Sequence, residues 1–353
     1  MKELKLDALL LTHPPDLAYL SQFTGDDSIG LFTADNFHLV TDFRYQEQAA
    51  IEAPWLKLVI REGKMSDALA RTVAESKAAR VGFEANFTQF GTISSLKKAL
   101  TGPAAAKVKL IPVEDVMVNI RKVKDDVEIA IIRQAVAVAE VAYLALREQI
   151  KIGQTENYVA GLMAFEMRCR GATDSSFPVI VAAGPASSLP HYRPGETLVQ
   201  NNQPLLIDWG ARFNGYCSDL TRTLLLGRVS PKMKKAYNVV LEAQQAAIDF
   251  LRPGVTTAQA DRVARGVIEK AGLGERFGHG LGHGIGRDIH ELPTLRKTGG
   301  DEELRPGMVV TVEPGVYLPG VGGVRIEDDV LLTDCGREVL SSLDKTFEGC
   351  HIE

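Results

Sequence analysis

No stretch of this chain is basic enough to follow a phosphate backbone. Its 40 lysines and arginines are interspersed among 45 acidic residues, for a net charge of −5. Nucleic-acid binding needs a basic stripe, so that class is set aside. The amino terminus also lacks a long apolar run. The opening MKELKLDALLLTH holds one short apolar stretch, interrupted upstream by Asp7. It is too short for a secretory signal and far too short to span a bilayer. A cytoplasmic chain without a membrane partner is therefore expected. Cysteine is scarce: Cys169, Cys217, Cys335 and Cys350 lie far apart. They form neither a CxxC pair nor a zinc spacing, which predicts reduced, mostly buried thiols.

What is present reads as two domains. A length of 353 residues suggests about that number. An apolar content of 45% with 24% charged residues fits an ordinary globular core. The first third alternates short apolar runs with amphipathic ones. Strands are predicted at 7–12, 55–60 and 107–113, a hairpin at 30–42, and helices at 14–23 and 65–79. DFRY at 42–45 reads as a helix start, and TGPAAAK at 101–107 as a surface loop. This pattern predicts an α/β domain over 1–119. Beyond it, long helices are predicted at 124–150, 232–251 and 256–272, with strand pairs between and after them. Helices segregated from hairpins predict an α+β domain over 120–353.

GHGLGHGIGR, residues 278–287, has glycine at every second position. So much glycine disfavours a helix by ~1 kcal/mol per residue relative to alanine. A strand would put every glycine on one face, where another backbone can approach closely. His279 and His283 would share the other face. Dinucleotide and P-loop registers do not fit, and HExxH fails because Gly280 stands where the glutamate should be. Two histidines on a cleared face point to a ligand site.

Two apolar hairpins flank this segment. In PLLIDWGARFNGYCSDLTRTLLLG (204–227), Asp208 and Asp219 straddle a midpoint between Phe213 and Asn214. In VVTVEPGVYLPGVGGVRIEDDVLL (309–332), Glu313 and Glu327 straddle Gly320. Folding each hairpin about its midpoint sets its two carboxylates opposite each other. One buried acid pair suits a salt-bridge network equally well. Two mirrored pairs with a histidine segment between them look like a cage for cations, because four carboxylates need positive charge to coexist. Carboxylates with one imidazole suit manganese, cobalt, iron or zinc as a catalytic ion.

The order Asp208, Asp219, His283, Glu313, Glu327 resembles the ligand set of the pita-bread metallopeptidases, the family of methionine aminopeptidase, aminopeptidase P and prolidase. IDWGARFNGYCSDLTRT, GHGLGHGIGRDIHE and VEPGVYLPGVGGVRIEDD carry the likeness. HPPDLAYLSQFTG and TDFRY extend it to the amino-terminal domain of the aminopeptidase P and prolidase branch. The resemblance implies an α/β creatinase/prolidase-type domain followed by an α+β pita-bread (creatinase/aminopeptidase) catalytic domain. It implies two divalent ions, manganese foremost, with cobalt, zinc or iron as alternatives. Asp219 and Glu327 would bridge the ions, Asp208 would chelate one, and His283 and Glu313 would complete the other. Glu313 would also act as general base. His191 and His290 would be catalytic and substrate-facing, and His279 would line the substrate pocket. Arg325 and Tyr317 would hold the ligand carboxylates in place. A homodimer acting on peptides with proline in second position is implied.

Prolidases of this type carry an arginine directly after HExP. Here the stretch reads HELPTLRK, with Thr294 at that position and Arg296 two residues on. A guanidinium suits a terminal carboxylate. Its absence favours cleavage of longer peptides over strict dipeptidase action, with Xaa-Pro dipeptidase as the alternative. A metal-free relative of the creatinase kind, a binding module and a hydrolase of non-peptide bonds are the rival classes.

Overall fold

Ala8–Leu11 (β1) is the central seam of the first unit. Its alternate side chains enter different cores. Ala8 and Leu10 join a cluster with Leu69, Val73 and Leu96, whereas Leu9 and Leu11 join Leu17, Phe23 and Met117. A strand covered on both faces reads as a continuous apolar run, which explains DALLLT. After it come α1 (Pro14–Ser21), β2 (Ile29–Thr33), β3 (Phe37–Thr41), α2 (Gln46–Glu52), β4 (Lys57–Ile60), α3 (Met65–Ser76), β5 (Arg80–Glu84), α4 (Phe90–Ala99), β6 (Lys109–Val113) and α5 (Val116–Arg121). The sheet order is β4-β3-β2-β1-β5-β6. The β1–β2 and β2–β3 pairs are antiparallel; β3–β4, β1–β5 and β5–β6 are parallel. Asp42 caps the short turn Phe43–Tyr45 by accepting from the Arg44 backbone, as DFRY suggests. The sequence pattern does not mark β5 or α4. FGTISSLKKA, with a glycine and two serines, has low helix propensity and folds through tertiary packing at Leu96.

This computed structural model describes residues 1–101, 107–298 and 301–352. Most of the loop expected at 101–107 lies outside them. The chain divides into two units, Met1–Asn119 and Ile120–Glu353.

The second unit opens with α6 (Asp126–Arg147) and α7 (Glu156–Cys169). A reciprocal cap between Asp125 and Glu128 starts α6. α6 is long and apolar enough to cross a membrane by length and composition. Its inner face packs in the core instead: Tyr143 stacks on Trp209 at 4.6 Å, and the Trp209 indole donates to the Ala139 carbonyl. α7 escapes the sequence pattern. Then come β7 (Asp174–Ser175), β8 (Ile180–Ala183), β9 (Gln203–Trp209), β10 (Ala211–Phe213), β11 (Tyr216–Cys217) and β12 (Leu220–Leu226). The helices α8 (Pro231–Phe250) and α9 (Thr257–Lys270) follow, then β13 (Gly282–Gly284), β14 (Glu291–Leu295), β15 (Val309–Val312), β16 (Gly315–Leu318), β17 (Gly322–Arg325), β18 (Asp328–Thr333), β19 (Gly336–Val339) and β20 (His351–Ile352). Of two larger sheets, β20-β12-β9-β8 holds Asp208 on β9 and β14-β13-β15-β18-β19 holds His283 on β13, with β16–β17 as a separate ribbon that holds Tyr317 and Arg325. All four cysteines are free. Cys217 and Cys350 are buried, but Cys169 and Cys335 are exposed, so the expectation of mostly buried thiols holds for only two.

Candidate metal centre

The second hairpin folds about Gly320 as its layout predicts. Val312 pairs with Asp328 and Gly315 with Arg325, which places Glu313 and Glu327 at facing positions. The first hairpin corrects the sequence reading. Asp208 pairs with Thr221, not with Asp219. The turn is centred on Asn214-Gly215, both with positive φ, 46° and 80°. That is the Asn-Gly signature of a tight hairpin. It shifts the register by two residues, so Asp208 and Asp219 are diagonal neighbours on one face. An antiparallel bridge between Thr221 and Glu327 joins the two hairpins and brings the acids together.

The glycine segment is extended only in part. β13 covers Gly282–Gly284, with an irregularity between His283 and Gly284. Bare backbone is needed there. A Cβ on Gly282 would lie 2.1 Å from the Thr311 carbonyl, and one on Gly284 would lie 2.2 Å from that of Leu292. Gly278 has nothing within 4 Å. Gly282→Ala is therefore expected to destabilise the chain by about 1–3 kcal/mol or more, as overpacking does. Gly278→Ala should change stability little. Denaturant melts of the two variants side by side check this.

Asp219, His283 and Glu327 each offer a ligand atom within 4.8 Å of the others. His283 Nε2 lies 3.5 Å from Asp219 Oδ2 and 3.5 Å from Glu313 Oε1. His283 Nδ1 is 3.0 Å from the Gly284 carbonyl, which can only accept, so Nδ1 carries the proton. Burial, then the neighbouring His290, pushes the His283 pKa down to about 4, so the ring is neutral. The bare Nε2 lone pair thus faces two carboxyl groups, each 3.5 Å away. Asp208 Oδ1 and Glu327 Oε1 are buried without a hydrogen-bond partner. Bound cations would satisfy acceptors of this kind, so the residues fit the group.

The electrostatics agree. Burial, reinforced by Glu327, Asp208, Asp329 and Glu313, holds the Asp219 carboxyl well above the usual range. Burial followed by Glu313 and Asp208 does the same to Glu327. Burial pushes Glu313 up to about 8, against the pull of Arg325. Asp208 is raised by burial, with Arg325 opposing.

Arg325 donates to Asp208 and to the Tyr317 hydroxyl, 2.9 Å away. That hydroxyl lies 2.9 Å from His279 Nε2, while His279 Nδ1 is 2.8 Å from the Gly280 carbonyl. Burial lowers the His279 pKa to about 4. Protonation on Nδ1 fixes the direction of the relay: Arg325 donates to Tyr317, and Tyr317 donates to His279. Arg325 and Tyr317 thus link Asp208 to the histidine beside it. His290 packs edge-on against the His283 ring at 4.3 Å. His191 is a neighbour of Asp208, His279 and His290. Its loop is tied to buried Glu156, which accepts from the Ala183 and Gly195 backbones and from the Tyr192 hydroxyl.

Several contributors were missed in the sequence. The Thr221 hydroxyl donates to Glu327 at 2.6 Å, and Asp329 accepts from the Asp219 backbone. Thr311 accepts from the His283 backbone and lies 3.4 Å from Glu313. Thr221 stands two residues after Asp219, and Thr311 two before Glu313. The period-2 rule that groups residues on one strand face could have found both.

Comparisons with known proteins identify the family. Residues 130–334 match the model of metallopeptidase family M24, and residues 1–123 match the creatinase/prolidase N-terminal domain. The uncharacterised peptidase YqhT of Bacillus subtilis is 37% identical over 343 residues, covering 97% of this chain and 96% of that protein. Among solved structures, an Xaa-Pro dipeptidase from Bacillus anthracis superposes with a TM-score of 0.92 at 39% identity, covering 98% of this chain and 95% of that one. An X-Pro aminopeptidase from Thermotoga maritima superposes with a TM-score of 0.89 at 36% identity, covering 98% of each chain. With residues 130–334 and residues 1–123 each matched by a family model, the chain belongs to metallopeptidase family M24.

Proposed function

We propose that this protein hydrolyses the Xaa-Pro bond at the amino terminus of peptides, with Asp208, Asp219, His283, Glu313 and Glu327 holding two divalent ions. The observation that carries the reading is the cluster of Asp219, His283 and Glu327, whose ligand atoms lie within 4.8 Å of one another, with the bare His283 Nε2 turned toward Asp219 and Glu313. When bound, such ions supply a Lewis acid for a peptide carbonyl and acidify a water as nucleophile. The chain's own residues do the rest. Glu313, partly buried beside His283 with Thr311 at 3.4 Å, is placed to take a proton from that water and pass it to the departing nitrogen. An Xaa-Pro bond is a tertiary amide without an N–H, so its nitrogen needs that proton to leave as an amine. Burial lowers the His290 pKa, which leaves a neutral ring with one N–H to donate to the substrate. His191 joins it, and His279 lines the same pocket through Tyr317.

Thr294 is paired directly with His283 across β13 and β14, and Arg296 is exposed just past the end of β14. With no guanidinium at position 294, the reading favours peptides longer than a dipeptide. The similarity to a structure titled Xaa-Pro dipeptidase supports the second reading, cleavage of dipeptides. The reading includes manganese as the native ion, which the carboxylate-rich donor set supports. It includes a cytoplasmic location, supported by four free cysteines. It also includes a homodimer, supported by exposed Phe43, Ile51, Trp55 and Phe90.

The test is release of the first residue from Xaa-Pro and Xaa-Pro-Yaa peptides by chelator-stripped protein, with and without Mn²⁺ or Co²⁺. Metal-dependent cleavage of the tripeptide is expected. Cleavage of the dipeptide alone selects the dipeptidase reading. No cleavage with metal bound overturns the proposal in favour of a non-peptide hydrolase or a binding module.

A further inference from the structure

His290 differs from its neighbours in what holds its ring. His279 and His283 are each pinned by a bond from Nδ1 to a backbone carbonyl. Among the described residues, the His290 ring has an aromatic contact with His283 and no hydrogen bond. Its place therefore depends on its backbone. The next residue, Glu291, does not bond to His290 as a local pair. Its carboxylate is buried, with 3% of the side chain exposed, between two buried cations. Arg121, 2% exposed, donates to Oε1; Lys124, 1% exposed, donates to Oε2 at 3.0 Å. The Asp288 backbone also donates to Oε1, at 3.0 Å. Arg121 pairs with Asp288 at 2.7 Å, so the group balances two cations against two carboxylates. Charges this deep are held in place by one another, since none can return to water without leaving its partner bare.

The loop between β13 and β14 is closed tightly on this group. The Gly286 backbone donates to the Asp288 carbonyl, and a Cβ on Gly286 would lie 2.5 Å from the Glu291 carboxylate. Lys124 is itself anchored through its backbone bond to the Gly307 carbonyl. The two cations lie 167 and 170 residues from Glu291 in the chain. We infer that Arg121, Lys124 and Glu291 form an ionic hub that positions the His290 imidazole, acting through the backbone link from Glu291. The functional side of this inference rests on the reading that His290 faces the substrate. These three are positioning residues, since none touches the reacting atoms.

A double-mutant cycle tests the hub. Lys124→Met should lower kcat on an Xaa-Pro-Yaa peptide by about tenfold, the scale of losses for groups that orient a functional side chain. In a His290→Ala background, the same substitution should cost less than about twofold, because its effect passes through the missing ring. Losses that multiply independently in the two backgrounds overturn the inference. If Lys124→Met alone fails to fold, Lys124→Met/Glu291→Gln removes one charge of each sign and keeps the group balanced; the same cycle applies. Imidazole NMR of the full metal-free chain gives a readout without turnover. The His290 resonance, assigned with His290→Ala, should shift or broaden in the Lys124 variant while that of His279 stays. An unmoved His290 resonance overturns the hub. Should the wild type cleave no Xaa-Pro peptide, the proposed function fails, and the NMR comparison still decides the hub.

Discussion

Glu313→Gln lowers kcat on Xaa-Pro peptides by about 10²–10⁴-fold, the range for loss of a positioned proton carrier. Glutamine keeps the size of the side chain and an oxygen near Thr311, but it cannot accept and return a proton. The substitution should act on stability in the opposite direction. Burial raises the Glu313 carboxyl from its ordinary 4.5 to about 8. An acid raised on folding binds more protons in the native state than in the unfolded state across that interval. Stability of chelator-stripped protein therefore falls as pH rises from about 4.5 to about 8. Removing the charge at Glu313 weakens that fall. Chelator-stripped Glu313→Gln should thus melt above the wild type at pH 8, and the gap should narrow toward pH 5. The check pairs kcat at saturating Mn²⁺, with metal content measured, and melting curves at both pH values. Turnover within tenfold of wild type with both ions bound would remove Glu313 from the proton path.

Arg222→Met is expected to cost about 3–5 kcal/mol, because it strips the partner from a buried carboxylate. Arg222 and Asp328 are each 1% exposed and paired at 2.7 Å. The guanidinium also donates to the carbonyls of Thr221, Glu327, Leu343 and Asp344. It fastens the strand that follows Asp219 to the strand that carries Glu327. Asp328 further accepts from Gln244, Ser341 and Lys345. Burial alone would raise this carboxyl, but Arg222 and then Lys345 hold it well below its ordinary range. An acid depressed on folding contributes stability above its unfolded pKa and loses it as pH falls through the native value. The Arg222 contribution should therefore persist into strong acid. Arg222→Lys keeps the charge but not the planar fork, so it should recover only part of the loss. Denaturant midpoints of the metal-loaded proteins at pH 7 check both variants. A loss under about 1 kcal/mol for Arg222→Met would show that the carbonyls and Asp328 find other donors.

Much of the centre was legible because hairpins carry their register in the sequence. Glu313 and Glu327 could be set face to face about Gly320 from spacing alone. Asp208 and Asp219 were misplaced by two residues because the acids were used to locate the turn. Asn214-Gly215, the stronger signal, gives the observed register. The cleared strand face read across 278–287 holds only at 282–284, and nothing lies within 4 Å of a Cβ on Gly278. Gly286 is bare for a different reason, the carboxylate of Glu291.

The sequence by itself determined the α/β and α+β textures, and it singled out five candidate ligands. Each of these rests on local periodicity or on short-range pairing across a turn. Only the tertiary structure decided how Thr221 bridges the hairpins, which way the relay from Arg325 to His279 runs, and why His283 presents a bare nitrogen to the carboxylates. It alone joined Arg121 and Lys124 to Glu291, and Arg222 to Asp328. Those contacts link segments separated by 100 residues or more. A buried charge pair of that kind leaves no period in the chain, because its partners are chosen by the packing of the whole core and not by their neighbours in sequence.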